Sequence, residues 1–303
     1  MLRITKKDLD VIKKIYEYRI LTIPQIAALA FSTKYVARRR IKDLIDADLL
    51  EAKSRGFGRQ RGRPERIISL STEGIDLLRK KRIISSELAF ESGENTIKNI
   101  DHQLLLNWFQ LHLLQVEKLI QELKIEFISS TSPLYLREHS RYPIIYEKIK
   151  NPGDDKAFDF IPDAVFCIRH KQRDKSLLFF LEIDLGTEAI ASAKRNKTDI
   201  RQKVLNYQAY FRLEKYKRYE DILHTRFNGF RVLFMANSQL RMHAICRLLQ
   251  EMSSSDFILV SHHKAMFSKG LSDAIWIKGG NSSSPHSILG EKMGCSAPLF
   301  QMN

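Results

Sequence analysis

Two apolar segments flanking a short polar one constrain the fold most. Residues 160–168 (FIPDAVFCI) and 177–184 (LLFFLEID) are rich in aromatic and β-branched side chains, while 170–175 (HKQRDK) is wholly polar. Apolar runs of this length on either side of a polar turn predict an antiparallel hairpin. With the turn centred on Gln172 and Arg173, opposed residue numbers sum to 345, so Asp163 faces Glu182. Opposed residues share a face at about 5 Å between Cβ atoms, and the period of two puts Asp184 beside Glu182. Asp163, Glu182 and Asp184 are thus expected to gather on one face beside Phe180. A slip of one residue would send Asp163 to the other face.

Flanking patterns extend this hairpin into an α/β domain over 102–278. A helix is expected over 102–124, with an apolar stripe of Leu105, Phe109, Leu113, Val116, Ile120 and Leu123. Strands are expected near 126–129, 230–235 and 257–261, and helices over 188–211 and 239–252. Residues 85–101 are polar and weakly patterned and read as a linker. Residues 279–303 lack periodicity and are expected to be a disordered tail. His102 and His112 read as structural, because no metal-ligand spacing surrounds them. The aromatics of 207–219 are expected to pack, leaving the cations of 194–218 as the nucleic-acid contacts there.

No apolar run approaches the ~20 residues of a membrane helix, and Lys6, Lys7, Asp8 and Asp10 interrupt any signal-peptide core. Three separated cysteines support neither a disulfide framework nor a zinc ribbon. A cytoplasmic protein without membrane partners is the expectation.

The formal net charge is +15, which points to a polyanionic partner. Residues 1–85 hold 21 Lys and Arg against 10 Asp and Glu, so most of the excess lies in the first quarter. There, apolar spacing predicts helices over 5–18, 23–30 and 34–46. Thr22, Pro24 and Gln25 form an N-terminal helix signal. Val36, Ile41, Leu44 and Ile45 are expected to face inward from the third helix. Strands over 49–52 and 66–70 flank a glycine- and arginine-rich loop, and a helix follows over 72–81.

This order resembles a winged helix-turn-helix over 1–84. The resemblance implies that Lys34, Tyr35, Arg38, Arg39 and Lys42 lie on a major-groove recognition helix. Arg55, Arg59, Arg61 and Arg63 would project from the wing toward phosphate or minor groove. Three consecutive arginines, 38–40, cannot all face one groove, so at least one is expected to point elsewhere. Double-stranded DNA is the expected partner.

Pro162-Asp163 followed by Glu182-Ile183-Asp184 resembles the PD-(D/E)xK nuclease signature, and the elements fit its αβββαβ core. The resemblance implies Mg²⁺ or Mn²⁺ held by Asp163, Glu182 and Asp184, since hard cations prefer oxygen ligands. The signature ends in Lys, where this chain has Asp184. Lys203, or Lys194, could supply the missing cation, so Asp163, Glu182, Asp184 and Lys203 form the candidate catalytic set. Lys203 and Tyr207 share a helix face.

The longer string Pro162-Asp-Ala-Val, Phe179-Phe-Leu-Glu-Ile-Asp-Leu-Gly-Thr-Glu188 and Lys203-Val-Leu-Asn-Tyr207 resembles the replication-relaxation family, over roughly 5–260. These are bacterial proteins, often borne on plasmids or mobile elements. The resemblance implies a winged helix-turn-helix ahead of a nuclease-like α/β domain, a role in plasmid replication and DNA relaxation, and replication or mobilisation proteins as partners. Three readings stay open: a DNA-binding replication protein, a Mg²⁺-dependent endonuclease or nickase, and a transcription regulator with a non-catalytic effector domain. Homodimerisation is also left open.

Overall fold

The structure is a computed structural model that describes residues 2–54, 66–85, 97, 99–137, 140, 142–150, 157–173, 175–192, 199–290, 293–296 and 298–299. The chain divides into two compact units. The first contains Met1–Leu111 and Thr131–Ile144, the second His112–Ser130 and Ile145–Leu299.

The first unit begins with α1 (Lys6–Tyr18), β1 (Leu21–Thr22), α2 (Ile23–Ala30) and α3 (Lys34–Asp46). It continues with β2 (Leu50–Ser54), β3 (Arg66–Leu70) and α4 (Thr72–Lys80). Local chemistry sets the helix starts. Thr5 with Asp8, and Thr22 with Gln25, form reciprocal capping boxes, and Pro24 sits in the first turn of α2. Thr33 and Ser71 cap α3 and α4 through their hydroxyls. The strands form an antiparallel sheet in the order β1-β3-β2. Leu50 pairs with Leu70 and Ser54 with Arg66. Ile12, Ile15, Tyr16, Ile41, Leu44 and Ile68 are buried in one core. Gly74 is required where α4 meets the start of β2, because a Cβ there would lie 2.2 Å from the Leu49 carbonyl oxygen. Val36 departs from expectation. It is 43% exposed, and Ala37 takes the buried position beside Ile41 and Leu44.

Helix α5 (Ile100–Leu119) crosses the division between the units at Leu111 and His112. The division therefore falls within a helix rather than in a linker at 85–101, of which 86–96 and 98 lie outside the described residues. The physical reason is a buried polar network. Asn107 Nδ2 donates to the Ile20 carbonyl at 2.6 Å, Gln103 Nε2 to the Tyr18 carbonyl at 3.3 Å, and Gln25 Nε2 to the Leu104 carbonyl at 2.9 Å. These bonds satisfy buried carbonyls at the exit from α1 and inside α5, which makes the first half of α5 part of the first unit.

The second unit is built on a seven-stranded sheet in the order β12-β11-β10-β9-β8-β7-β4. Its members are β4 (Leu123–Ser129), β7 (Ala164–His170), β8 (Lys175–Asp184), β9 (Phe230–Ala236), β10 (Ile258–His262), β11 (Trp276–Lys278) and β12 (Asn281–His286). The remaining strands, β5 (Glu147–Lys150) and β6 (Ala157–Phe160), form a separate two-stranded sheet. The helices are α6 (Ile200–Arg212), α7 (Arg218–Leu223), α8 (Gln239–Glu251) and α9 (His263–Lys269). The central hairpin has the expected register: Ala164 pairs with Leu181, Val165 with Phe180 and Phe166 with Phe179. Strands β8, β9 and β10 run parallel.

Several expected boundaries move. Residues 160–168 are interrupted at Ile161–Asp163, so Phe160 ends β6 and β7 begins at Ala164. The expected helix over 102–124 stops at Leu119, because 123–129 pair with β7 along their whole length. Helix α6 starts at Ile200, capped by Asp199, not at 188. The expected disordered tail contains β12, an edge strand paired to β11 through a turn at Gly279 and Gly280. Both glycines have positive φ, and a Cβ at Gly280 would lie 2.3 Å from the Cys246 carbonyl oxygen. A polar edge strand shows no alternation, because it has no apolar face to bury.

The aromatics of α6 pack as expected. Tyr207 and Tyr210 meet Phe180 edge-on at 5.6 Å and are buried. Phe211 is 44% exposed but stacks on Tyr216 at 5.7 Å. His112 is buried against Phe267, with neither ring nitrogen hydrogen-bonded. Burial lowers its pKa to about 4. Burial likewise pushes the thiols of Cys167 and Cys246 up to about 11.

Candidate functional site

Helix α3 separates its cations by their direction. Tyr35, Arg38, Arg39 and Lys42 are exposed and Lys34 is half-buried, whereas Ala37, Ile41 and Leu44 form the buried side. Arg40 is the arginine that turns away. Its Nε donates to Asp8 Oδ1 at 2.6 Å and one Nη donates to Asp8 Oδ2 at 2.5 Å. Burial would raise the Asp8 pKa, but bonds from Arg40 and Thr5 outweigh it and hold the carboxyl at about 2. Asp43 lies 3.6 Å from the same guanidinium. The exposed basic side of α3 is therefore set by the interior, through the buried apolar side and one charged fork. Arg55, Arg59, Arg61 and Arg63 lie outside the described residues.

In the second unit, β8 presents Phe180, Glu182 and Asp184 by the period of two, but their charged ends meet different partners. Glu182 is 5% exposed. Its Oε1 accepts from the Tyr207 hydroxyl at 2.6 Å and its Oε2 from Lys203 Nζ at 3.1 Å. Lys203 Nζ also lies 3.0 Å from Glu188 Oε2. Asp163 Oδ2 accepts from the Ile183 amide at 2.7 Å, which holds its carboxylate at the same end of the hairpin. Burial pushes the Glu182 carboxyl above the ordinary range, even against the Lys203 ammonium. Burial opposes the charge on Lys203, but the carboxylates of Glu182, Asp163 and Glu188 outweigh it and hold the ammonium protonated.

Asp184 belongs to a different set. Arg241 Nε donates to its Oδ2 at 2.5 Å and Arg241 Nη2 to its Oδ1 at 3.2 Å. Oδ1 also accepts from the Gly186 amide at 2.9 Å. The same Nη2 donates to the Glu188 carbonyl at 2.7 Å, and Asn237 Nδ2 donates to the Leu185 carbonyl at 2.5 Å. This fork fastens segment 184–188 across the start of α8, and it is this segment that carries Glu188 toward Lys203.

The expected cluster of Asp163, Glu182 and Asp184 is thus divided. Among the described residues, no group of three or more His, Cys, Asp or Glu side chains is arranged to hold a metal ion. Each oxygen of Glu182 and of Asp184 accepts at least one hydrogen bond from the protein's own donors. Lys203, from α6, is the cation that reaches Glu182. Lys194 lies outside the described residues. Sequence reasoning missed Glu188 and Arg241 as partners. Glu188 stood in the recognised string, whereas Arg241 is 57 positions from Asp184 and gave no sequence signal.

A family model described as replication-relaxation matches residues 12–224, more than half of the chain. The chain belongs to the replication-relaxation family. The match covers most of the region that the sequence resemblance implied and ends before β9, rather than near 260. A search of curated proteins finds no match. Family membership suggests a role in replication or relaxation. Among the described residues, no helix is long and apolar enough to cross a membrane.

Proposed function

We propose that this replication-relaxation protein binds double-stranded DNA through its first unit, as a winged helix-turn-helix. The reading is carried by one observation: α3 turns Arg38, Arg39 and Lys42 outward while its half-buried arginine, Arg40, is consumed by Asp8. Cations clustered on one exposed side of a helix, in a protein of formal charge +15, suit a phosphate backbone. The topology supports this reading: three helices precede the β2–β3 hairpin, and Arg55, Arg59, Arg61 and Arg63 fall between its two strands in the sequence. Those wing arginines are proposed phosphate or minor-groove contacts, and Lys34 and Tyr35 at the amino end of α3 are proposed major-groove contacts. Replication or mobilisation proteins are proposed as further partners.

The second unit is proposed to be a nuclease-like core that supports binding without cleaving. What supports this is the engagement of Glu182 by Lys203 and Tyr207 and of Asp184 by Arg241.

Two assays test the reading. Titrating salt against a labelled duplex should give a steep linear loss of affinity. Arg38→Ala with Arg39→Ala should reduce the log–log slope by about 2, one for each phosphate contact removed; an unchanged slope rejects α3 as the contact. Supercoiled plasmid incubated with Mg²⁺ or Mn²⁺ should stay intact. Nicking by the wild type that disappears in Glu182→Ala would instead establish an endonuclease.

A further inference from the structure

The first turn of α3 carries two side chains that backbone binding does not use. Tyr35 is 74% exposed and Val36 is 43% exposed. Two contacts fix the register of α3 so that neither can turn inward. The Val36 amide donates to Thr33 Oγ1 at 3.2 Å, and Arg40 forks onto Asp8 one turn later. A β-branched residue in an exposed helical position lowers helix propensity, so Val36 contributes nothing to the fold that alanine would not.

Resting on the DNA-binding reading above, we infer that Tyr35 and Val36 read thymine in the major groove, with Val36 contacting its C5-methyl group. Three arguments carry this. Residues at the amino end of a recognition helix are the ones that reach base edges. Valine has neither donor nor acceptor, and thymine's methyl is the one apolar group on the major-groove floor, so thymine is the base that valine can favour. The surrounding charge suits DNA: Arg38, Arg39 and Lys42 are exposed nearby, the first turn of α3 holds no acid, and Asp43 lies against Arg40. Tyr35 sets its ring beside the methyl contact and offers its hydroxyl to a neighbouring base edge or phosphate.

The test uses the full chain and duplexes selected from a randomised pool. Thymine should be enriched at one or two positions. Replacing those thymines with deoxyuridine keeps the pairing and removes only the methyl. Wild-type affinity should fall about fourfold, the worth of one buried methyl. Val36→Ala should bind both duplexes equally, and Val36→Ile should keep the preference. Because Val36 is exposed, both variants should fold. Equal wild-type affinity for the two duplexes, or a fourfold preference surviving in Val36→Ala, overturns the inference. Salt-dependent binding that ignores the methyl overturns this inference alone. Absence of salt-dependent binding to any duplex overturns the DNA reading with it.

Discussion

Arg39 and Arg40 are neighbours on α3, yet one is exposed and the other is half-buried and bound by Asp8. The same contrast separates the two units. On α3 the cations face outward, where a polyanion can neutralise them. In the second unit, Lys203 and Arg241 point inward, and their partners are Glu182, Glu188 and Asp184. A charge removed from water needs a partner nearby, so an inward cation is committed to the fold. An outward cation remains available for a ligand. Residue type is the same in both regions, and position alone decides the role.

The contrast breaks most sharply at Lys203. Lys203→Ala should leave Glu182 buried without its counter-charge and cost about 3–5 kcal/mol, measured by urea unfolding. Combining Glu182→Gln with Lys203→Met should recover most of that loss. If Lys203→Ala unfolds like the wild type, Lys203 is not committed to the fold and a ligand-directed role regains support.

A buried neutral group gives the next largest effect. His112 has a pKa of about 4 in the fold against 6.5 ordinarily. Below pH 6.5 the unfolded chain takes up a proton that the folded chain refuses. Stability is therefore full above that pH and declines as pH falls toward about 4, by about 3 kcal/mol in total. His112→Phe should remove this part of the slope in unfolding curves taken between pH 7.5 and 4.

The two arginines of α3 then sharpen the comparison directly. Asp8 is held at a pKa of about 2 against 3.8 ordinarily. Its contribution is present above the ordinary value and is lost as pH falls through about 2, and it amounts to about 2 kcal/mol. Arg40→Ala should cost a similar amount of stability in urea unfolding at neutral pH. Arg39→Ala should change stability by less than about 0.5 kcal/mol while weakening DNA binding. Equal stability losses in the two variants would erase the distinction between them.

Much of the fold was legible because it rests on local rules. The Thr22 and Gln25 capping box, the limits of α2 and α3, and the register of the central hairpin follow from spacing, capping chemistry and turn position. Misplaced boundaries fell where a distant segment overrode the local pattern. Leu123 and Lys124 read as the end of a helix until β7 claimed them. Val36 read as core because apolar spacing alone cannot say which of two adjacent residues, Val36 or Ala37, points inward. The carboxylates of the candidate site were found by parity, but their partners were not. Tyr207 and Lys203 were visible as a helical pair, whereas Arg241 arrives from α8 through the packing of the sheet.

By itself, the sequence determined the charge, its concentration in the first quarter of the chain, the helical order of that region, and the shared face of Glu182 and Asp184. Those properties depend on composition and on the periods of helix and strand. Tertiary structure alone decided which cations stay outside, that Asp8 withdraws Arg40, and that Lys203 pairs with Glu182 while Arg241 pairs with Asp184. The reason is that an ion pair needs contact within a few ångströms, and residues separated by 21, 32 or 57 positions meet only when the elements carrying them have packed.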